Sequence, residues 1–197
     1  MYPENLSKFI QQFSRLPGVG AKSSERLGFY ILSQPEEFAR SLSESIIRLK
    51  MDSVFCSSCG NLSVMDPCGI CTDKTRDDSI ICVVEHPSDI YYIETTNCFH
   101  GLYHVLGGIL SPLNGVSPED LRINELIQRV KKLSVTEILF ATSATTEGDT
   151  TALFIKNILQ PTKIKFTHLA RGIPVGTNLQ YAGSGSLSQA IRSREEL

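Results

Sequence analysis

The chain carries little excess charge of either sign. Its 197 residues include 19 lysines and arginines against 21 aspartates and glutamates, which gives a formal net charge of −2 and a pI of about 6.1. Proteins that bind nucleic acid through a large basic surface usually show a clear basic excess. This composition therefore excludes a generally basic surface, and any site for phosphate must be confined to a local group of residues.

The sequence also lacks the segments that direct a chain to or across a membrane. No apolar run approaches the roughly 18 residues that suggest a membrane-spanning helix. Residues 2–7 are largely polar, and the features of a secretory signal are missing there: a charged region, an apolar core and a small-residue cleavage site. We therefore expect a cytoplasmic protein. The sequence has no GxxxxGK[ST] loop either, so nucleotide hydrolysis by this chain has no support.

Four cysteines lie close together in the sequence. They form two CxxC pairs within sixteen residues, separated by eight residues: Cys56, Cys59, Cys68 and Cys71. Two such pairs across a short loop are typical of a structural zinc site, and four thiolate ligands leave no position for a catalytic water. The alternatives are disulfides, which are rare in the cytoplasm, and an iron–sulfur cluster, which usually has other spacings. We predict one structural Zn²⁺ and interpret Cys82 and Cys98 as reduced thiols.

The residues before the cysteines have the apolar spacing of helices. Three helices are predicted, at about 6–13, 23–32 and 35–51. Four apolar residues of the third are expected to face a core: Phe38, Leu42, Ile46 and Leu49. The string LPGVG at residues 16–20 predicts a tight turn between the first two helices.

This turn and the helix after it form a candidate phosphate site, within LPGVGAKSSERL at residues 16–27. Gly18 and Gly20 let the backbone approach a ligand closely, and the helix N-terminus offers free N–H groups to an anion. Lys22 and Arg26 are four residues apart, so they share one helical face and add positive charge. The string resembles the helix-hairpin-helix motif, which contacts the DNA backbone without reading sequence. The alternative is a plain turn between helices with two solvated cations.

After the cysteines, strands alternate with helices. The predicted strands lie at 80–84, 137–141 and 164–169, and the predicted helices at 118–133 and 151–159. Residues 183–186 are interpreted as a flexible link before a short helix at 187–191. The alternation predicts an open α/β sheet, in which ligands bind beyond the carboxyl ends of the strands. Glu85, Glu147 and Asp149 are expected at that edge.

Three acidic groups at one sheet edge could hold Mg²⁺ for phosphoryl chemistry. The pattern resembles the Toprim domain of primases, topoisomerases and recombination proteins, in which a glutamate follows the first strand and an Asp-x-Asp pair follows a later one. Glu85 matches that glutamate, but Ser143 and Thr145 stand where the metal-binding aspartates of catalytic members would be. Neutral hydroxyls are poor ligands for a hard cation. We therefore expect a degenerate Toprim domain that is not an enzyme, with a Mg²⁺-dependent nuclease or primase-like enzyme as the alternative.

The order of these parts resembles the RecR family of bacterial recombination mediators along essentially the whole chain. Matching strings include LPGVGAKSSERL, the four cysteines, CVVEHPSDI, YHVLGGILSPLNGVSPEDL, ATTEGDTTALFI and LARGIPVGTNLQYA. Asn97 departs from the family, which commonly has glycine there. Asn178, Gln180 and Gly183 stand where acidic residues are common. The lack of acidic residues at these three positions weakens the case for a nucleotide-binding role of the C-terminal segment.

The resemblance implies four segments. These are a helix-hairpin-helix DNA-binding and oligomerisation domain at 1–54, a four-cysteine zinc finger at 55–77, a Toprim domain at 78–173 and a C-terminal segment at 174–197.

The resemblance also implies a function. Family members are DNA-binding repair proteins that act with RecO, and in some settings RecF, to load recombinase onto single-stranded DNA. They can assemble as homodimers and ring-shaped homotetramers. On this hypothesis Gly18, Gly20, Lys22 and Arg26 contact DNA of any sequence. Glu85, Glu147 and Asp149 become candidates for docking the basic surface of a partner, since carboxylates pair well with arginine and lysine.

Overall fold

The fold is described by a computed structural model, over residues 2–160 and 163–194. The chain divides into two compact units, residues 1–53 and 54–197. Within the described ranges, no helix is both long enough and apolar enough to cross a membrane.

The first unit consists of three helices. They are α1 (Glu4–Phe13), α2 (Ala21–Ser33) and α3 (Glu36–Met51). Leu6 is buried, and a Cβ added to Gly28 would lie only 2.7 Å from Leu6 Cδ1. The close packing of α1 against α2 therefore depends on a residue without a side chain at position 28.

The third helix does not bury the face that its sequence predicts. No residue of α3 is buried, and Ile46 and Leu49 are 54% and 67% exposed. Leu42 is half-buried and Phe38 is exposed. The prediction that this face of α3 packs into a core is therefore wrong for this chain alone. A unit of about 50 residues buries a small share of its surface and cannot cover all of its apolar side chains.

The second unit begins with the cysteine segment and continues into a parallel sheet. The cysteine segment contains the antiparallel pair β1 (Val54–Phe55) and β2 (Leu62–Ser63), and the single turn α4 (Gly69–Thr72). The sheet contains β3 (Asp77–Val84), β4 (Gly101–Val105), β5 (Glu137–Phe140) and β6 (Lys165–His168). All its pairings are parallel, in the order β4-β3-β5-β6.

Helices cover both faces of this sheet. They are α5 (Pro87–Glu94), α6 (Ile123–Lys132) and α7 (Thr146–Leu159), and a final helix α8 (Ser184–Arg192) follows. Ile81 and Val83 of β3 join one apolar cluster with α6 and α7, whereas Cys82 and Val84 join a second cluster with α5. Burial on both faces explains why β3 reads as a continuous apolar run.

The mixed α/β fold predicted from the sequence is confirmed, with several differences in its elements. The helix predicted at 151–159 begins earlier, at Thr146, so that Glu147 and Asp149 lie in its first turn. Neither β4 nor α5 was among the elements that the sequence pattern predicts. The segment predicted as one helix at 118–133 starts with a 3₁₀ turn at Pro118–Asp120 and becomes α-helical only at Ile123. The predicted flexible link at 183–186 is also wrong, because α8 begins at Ser184.

Candidate functional site

The four cysteines converge on one point in the second unit. Their Sγ atoms all lie within 4.8 Å of one another. The Cys59–Cys68 and Cys56–Cys71 sulfur pairs are separated by 3.6 and 4.0 Å. A tetrahedral Zn²⁺ with zinc–sulfur bonds of about 2.3 Å requires sulfur–sulfur distances of about 3.8 Å. The donor set and its spacing therefore fit zinc.

Backbone amides support the sulfurs as thiolates. Cys68 N–H donates to Cys56 Sγ at 3.3 Å, and Asn61 N–H donates to Cys59 Sγ at 3.4 Å. Gly60, at φ +79°, makes the turn that brings Asn61 back to Cys59. N–H donors favour the charged form of an acceptor, and the charged thiolate is the form that binds a metal.

A carboxylate ties the two CxxC loops together. Asp66 Oδ1 accepts from the Ser57 N–H at 2.8 Å and from the Ser57 hydroxyl at 2.9 Å. These two hydrogen bonds hold the pKa of Asp66 below its usual range. The link fixes the loop of the first pair against the segment that leads to Cys68.

One residue near the cysteines was missed by sequence reasoning. Arg129 of α6 donates to Cys71 Sγ at 3.4 Å. A hydrogen bond with Cys59 and the positive charge of Arg129 lower the pKa of the Cys71 thiol to about 5. Fifty-eight positions separate Arg129 from Cys71, and no motif in the sequence connects them.

The hairpin of the first unit presents an open backbone. Gly18 has φ +79°, and the Val19 N–H donates to Leu16 O at 3.0 Å, which closes the turn. A Cβ at Gly18 or Gly20 would meet no atom within 4 Å, so the turn is open on that side. The N-cap residue of α2, Gly20, offers no side chain to cap the helix. The free amides of the first helical turn can therefore face an anion.

Two exposed cations follow this turn in α2. Lys22 and Arg26 are exposed, and neither forms an ion pair with any residue in the described ranges. They line an open depression of about 320 Å³ together with Ser23, Glu25 and Phe29. The Glu25 carboxylate accepts from the Tyr2 hydroxyl at 2.6 Å. Lys22 and Arg26 thus lie on one accessible face of α2, directly after the turn that contains Gly18 and Gly20.

The acidic residues at the sheet edge do not gather into a metal site. Glu85 accepts from the Ser143 N–H at 2.5 Å, and Asp149 receives two hydrogen bonds from Arg171 at 2.5 and 2.9 Å. Glu147 is half-buried and has no ion pair in the part of the chain described. Within residues 2–160 and 163–194, the four cysteines are the only group of three or more possible ligands close enough to share an ion.

The two hydroxyl residues of the degenerate motif make hydrogen bonds within their own loop and the start of α7 instead. Thr145 caps α7, since its side chain accepts from the Gly148 N–H at 3.1 Å. The hydroxyls of Ser143 and Thr145 lie 3.2 Å apart, within hydrogen-bond distance. A Cβ at Gly148 would overlap the carbonyl oxygen of Ser143. This loop is therefore built around its own hydrogen bonds.

Comparison with known proteins covers the whole chain. Three family models match: the helix-hairpin-helix of RecR at residues 6–49, the four-cysteine zinc finger domain of RecR at 54–73 and the Toprim domain at 79–170. "Recombination protein RecR" of Desulforudis audaxviator is 44% identical over 196 residues, covering 100% of this chain and 99% of the relative. The proteins of the same name in Ligilactobacillus salivarius and Enterococcus faecalis are also 44% identical, with the same coverage. The chain belongs to the RecR family.

Membership in the RecR family decides the identity of the metal centre. The zinc finger model covers all four cysteines, and their sulfurs lie at tetrahedral spacing. The prediction of one structural Zn²⁺ is therefore confirmed. The roles of the hairpin cations and the sheet-edge carboxylates remain predictions.

Proposed function

We propose that this chain is a DNA-binding protein of recombinational repair that acts with RecO, and in some settings RecF, to load recombinase onto single-stranded DNA. The observation that carries the proposal is the hairpin with two exposed cations, Lys22 and Arg26, which form no ion pair within residues 2–160 and 163–194. Backbone amides and cations at a helix N-terminus bind phosphate without reading bases. We infer contact with single- and double-stranded DNA of any sequence, in the cytoplasm and at the nucleoid.

A homo-oligomer accounts for DNA binding by a chain with a net charge of −2. One hairpin contributes only a few cations, Lys22 and Arg26 among them, which is a weak site by itself. Several copies around one DNA molecule raise the effective concentration of every further contact. A homodimer or ring-shaped homotetramer that encloses DNA would bind firmly without a strongly basic monomer.

The carboxylates of the sheet edge are proposed to dock the basic surface of a partner protein. Glu147 supports this role best, because it has no ion pair with any residue in the described ranges. Asp149 is held by Arg171, so a partner's cation would have to displace that residue. Glu85 is turned toward the Ser143 amide rather than toward a shared ion. We infer a docking surface, with no metal-dependent reaction at this edge.

The test of the DNA site is the double variant Lys22→Ala/Arg26→Ala. Each lost phosphate contact should lower affinity for every sequence and reduce the slope of log K against log salt by about 1. We expect a slope lower by about 2 per bound protomer, measured by fluorescence anisotropy at several salt concentrations. Arg40→Ala is the matched control, because Arg40 is an exposed cation of the same unit that is already paired with Glu36 at 2.8 Å.

Parent-like affinity and salt slope in the double variant would show that the hairpin is not the DNA site. The same samples, incubated with DNA in Mg²⁺ or Mn²⁺, address the enzymatic alternative. We expect intact DNA. Cleavage that disappears in Glu85→Gln would instead establish a metal-dependent nuclease.

A further inference from the structure

Arg129 is a buried cation between the cysteine cluster and the sheet. Arg129 is only 8% exposed, although an arginine is rarely buried unless it is paired with an opposite charge. One end of its guanidinium donates to the carbonyl oxygen of Tyr103 in β4, and the other donates to Cys71 Sγ at 3.4 Å. The side chain therefore joins a cysteine directly to a strand of the sheet.

No carboxylate among the described residues pairs with this charge. Across residues 2–160 and 163–194, the ion pairs involve other arginines and lysines, and none includes Arg129. A buried, unpaired guanidinium is strongly unfavourable, because it loses its hydration without gaining a counter-charge. The cysteine cluster that Arg129 contacts can supply negative charge, since a zinc ion with four thiolates keeps a net negative charge. The positive charge of Arg129 and the negative charge of the zinc–thiolate cluster thus offset each other.

We propose that Arg129 is a positioning residue of the zinc site: its guanidinium offsets the charge of the metal–thiolate cluster and orients Cys71 through an N–H···S hydrogen bond. Through Tyr103 O, the same side chain couples zinc binding to the sheet. Groups that hydrogen-bond to metal ligands typically tune the metal affinity of a site even though they do not touch the metal.

Arg122 also joins the cysteine segment to the rest of the unit, but it does so through a backbone oxygen. It precedes α6 and donates to the backbone oxygen of Ser57 at 3.2 Å, so it reaches the cysteine segment without contacting a sulfur. A Cβ at Gly60 would lie 3.2 Å from Arg122 Nε, which shows how closely the two segments pack. Arg122 holds the segment, whereas Arg129 holds a ligand of the metal. The two residues therefore make a matched pair for experiment.

The experiment measures zinc affinity in the full-length protein by competition with a chromogenic chelator. Arg129→Met removes the charge and the donors while keeping much of the volume, and should weaken zinc binding about 10- to 100-fold. Arg129→Lys keeps the charge and should recover part of that loss. Arg122→Gln, the control, should stay within about threefold of the parent. Because a sulfur ligand is affected directly, Arg129→Met should also shift the thiolate-to-metal absorption of the cobalt-substituted protein, and Arg122→Gln should not.

Two results would overturn the proposal. One is a folded Arg129→Met protein that binds zinc within about threefold of the parent and leaves the cobalt spectrum unchanged. The other is an equal loss of affinity in Arg122→Gln, which would reduce Arg129 to a packing contact. If Arg129→Met does not fold, Arg129→Lys decides. A measurable loss of zinc affinity together with a shifted cobalt spectrum supports the role of the guanidinium at Cys71, and parent-like zinc affinity with the parent's cobalt spectrum contradicts it.

Discussion

At the scale of single residues, Gly148 has the strictest steric requirement at the sheet edge. Any side chain there would overlap the Ser143 carbonyl, and the Gly148 N–H is the donor to the Thr145 cap. We expect Gly148→Ala to lower the free energy of unfolding by about 1–3 kcal/mol, because the loop must shift to make room. Urea titration followed by circular dichroism measures the change.

The control for that variant is Gly185→Ala. A Cβ at Gly185 meets nothing within 4 Å, and the residue lies inside α8, where alanine is the better helix former. We expect no loss of stability. If Gly148→Ala is as stable as Gly185→Ala, the loop does not depend on the absence of a side chain.

Residue-level predictions from sequence succeed where the signal is local. The four cysteines could be assigned because their spacing alone carries the chemistry. Asn97 has φ +52°, a left-handed conformation that glycine and asparagine tolerate best. Arg129 could not be found this way, because its contact depends on how α6 packs beside the cysteines.

At the scale of elements, the ion pair between Asp149 and Arg171 fastens the first turn of α7 to the segment after β6. The hydrogen bond from Arg171 lowers the pKa of Asp149 below its usual value. The resulting stabilisation is fully present above about pH 3.9, the pKa of Asp149 in the unfolded chain. It is lost as the pH falls through the lower pKa that Asp149 has in the folded protein. The Asp149 side chain is 44% exposed, so solvent screening limits the effect to about 1 kcal/mol or less.

Asp149→Asn should therefore be less stable than the parent at pH 7, and this difference should shrink as the pH falls below about 3.9 and through the lowered pKa of the folded protein. Urea unfolding of both proteins across that range measures it. Glu36→Gln is the control, since the Glu36–Arg40 pair is 84% and 69% exposed and should contribute little at any pH. A parent–Asn difference that stays constant with pH would mean that the carboxylate charge does not stabilise this contact.

Helices and strands could be predicted from the sequence where burial of one or both faces produced a regular spacing of apolar residues. Strand β3 reads clearly because both of its faces are buried. Helix α5 has a weak pattern, since Tyr91 and Tyr92 are both exposed within its eight residues. Helix α3 shows the opposite failure: its apolar stripe is real, but none of its residues is buried. Periodicity reveals an apolar face without revealing what packs on it.

At the scale of the whole molecule, the proposed DNA site predicts assembly. A protomer with one hairpin and a net charge of −2 needs further copies to hold DNA firmly. We expect sedimentation velocity to show a homo-oligomer, and a larger or more populated oligomer when DNA is added. A monomer under all conditions, with or without DNA, would exclude the ring.

The position of the cysteine segment also has a consequence for how copies of this chain meet. Strand β4 lies at one end of the sheet, and an end strand with free backbone groups attracts strands from other molecules. Here Val105 N–H donates to Cys59 O at 2.8 Å, and Tyr103 O accepts from Arg129. The cysteine segment and Arg129 thus occupy two backbone groups of this end strand, which are then not available to a strand of another molecule.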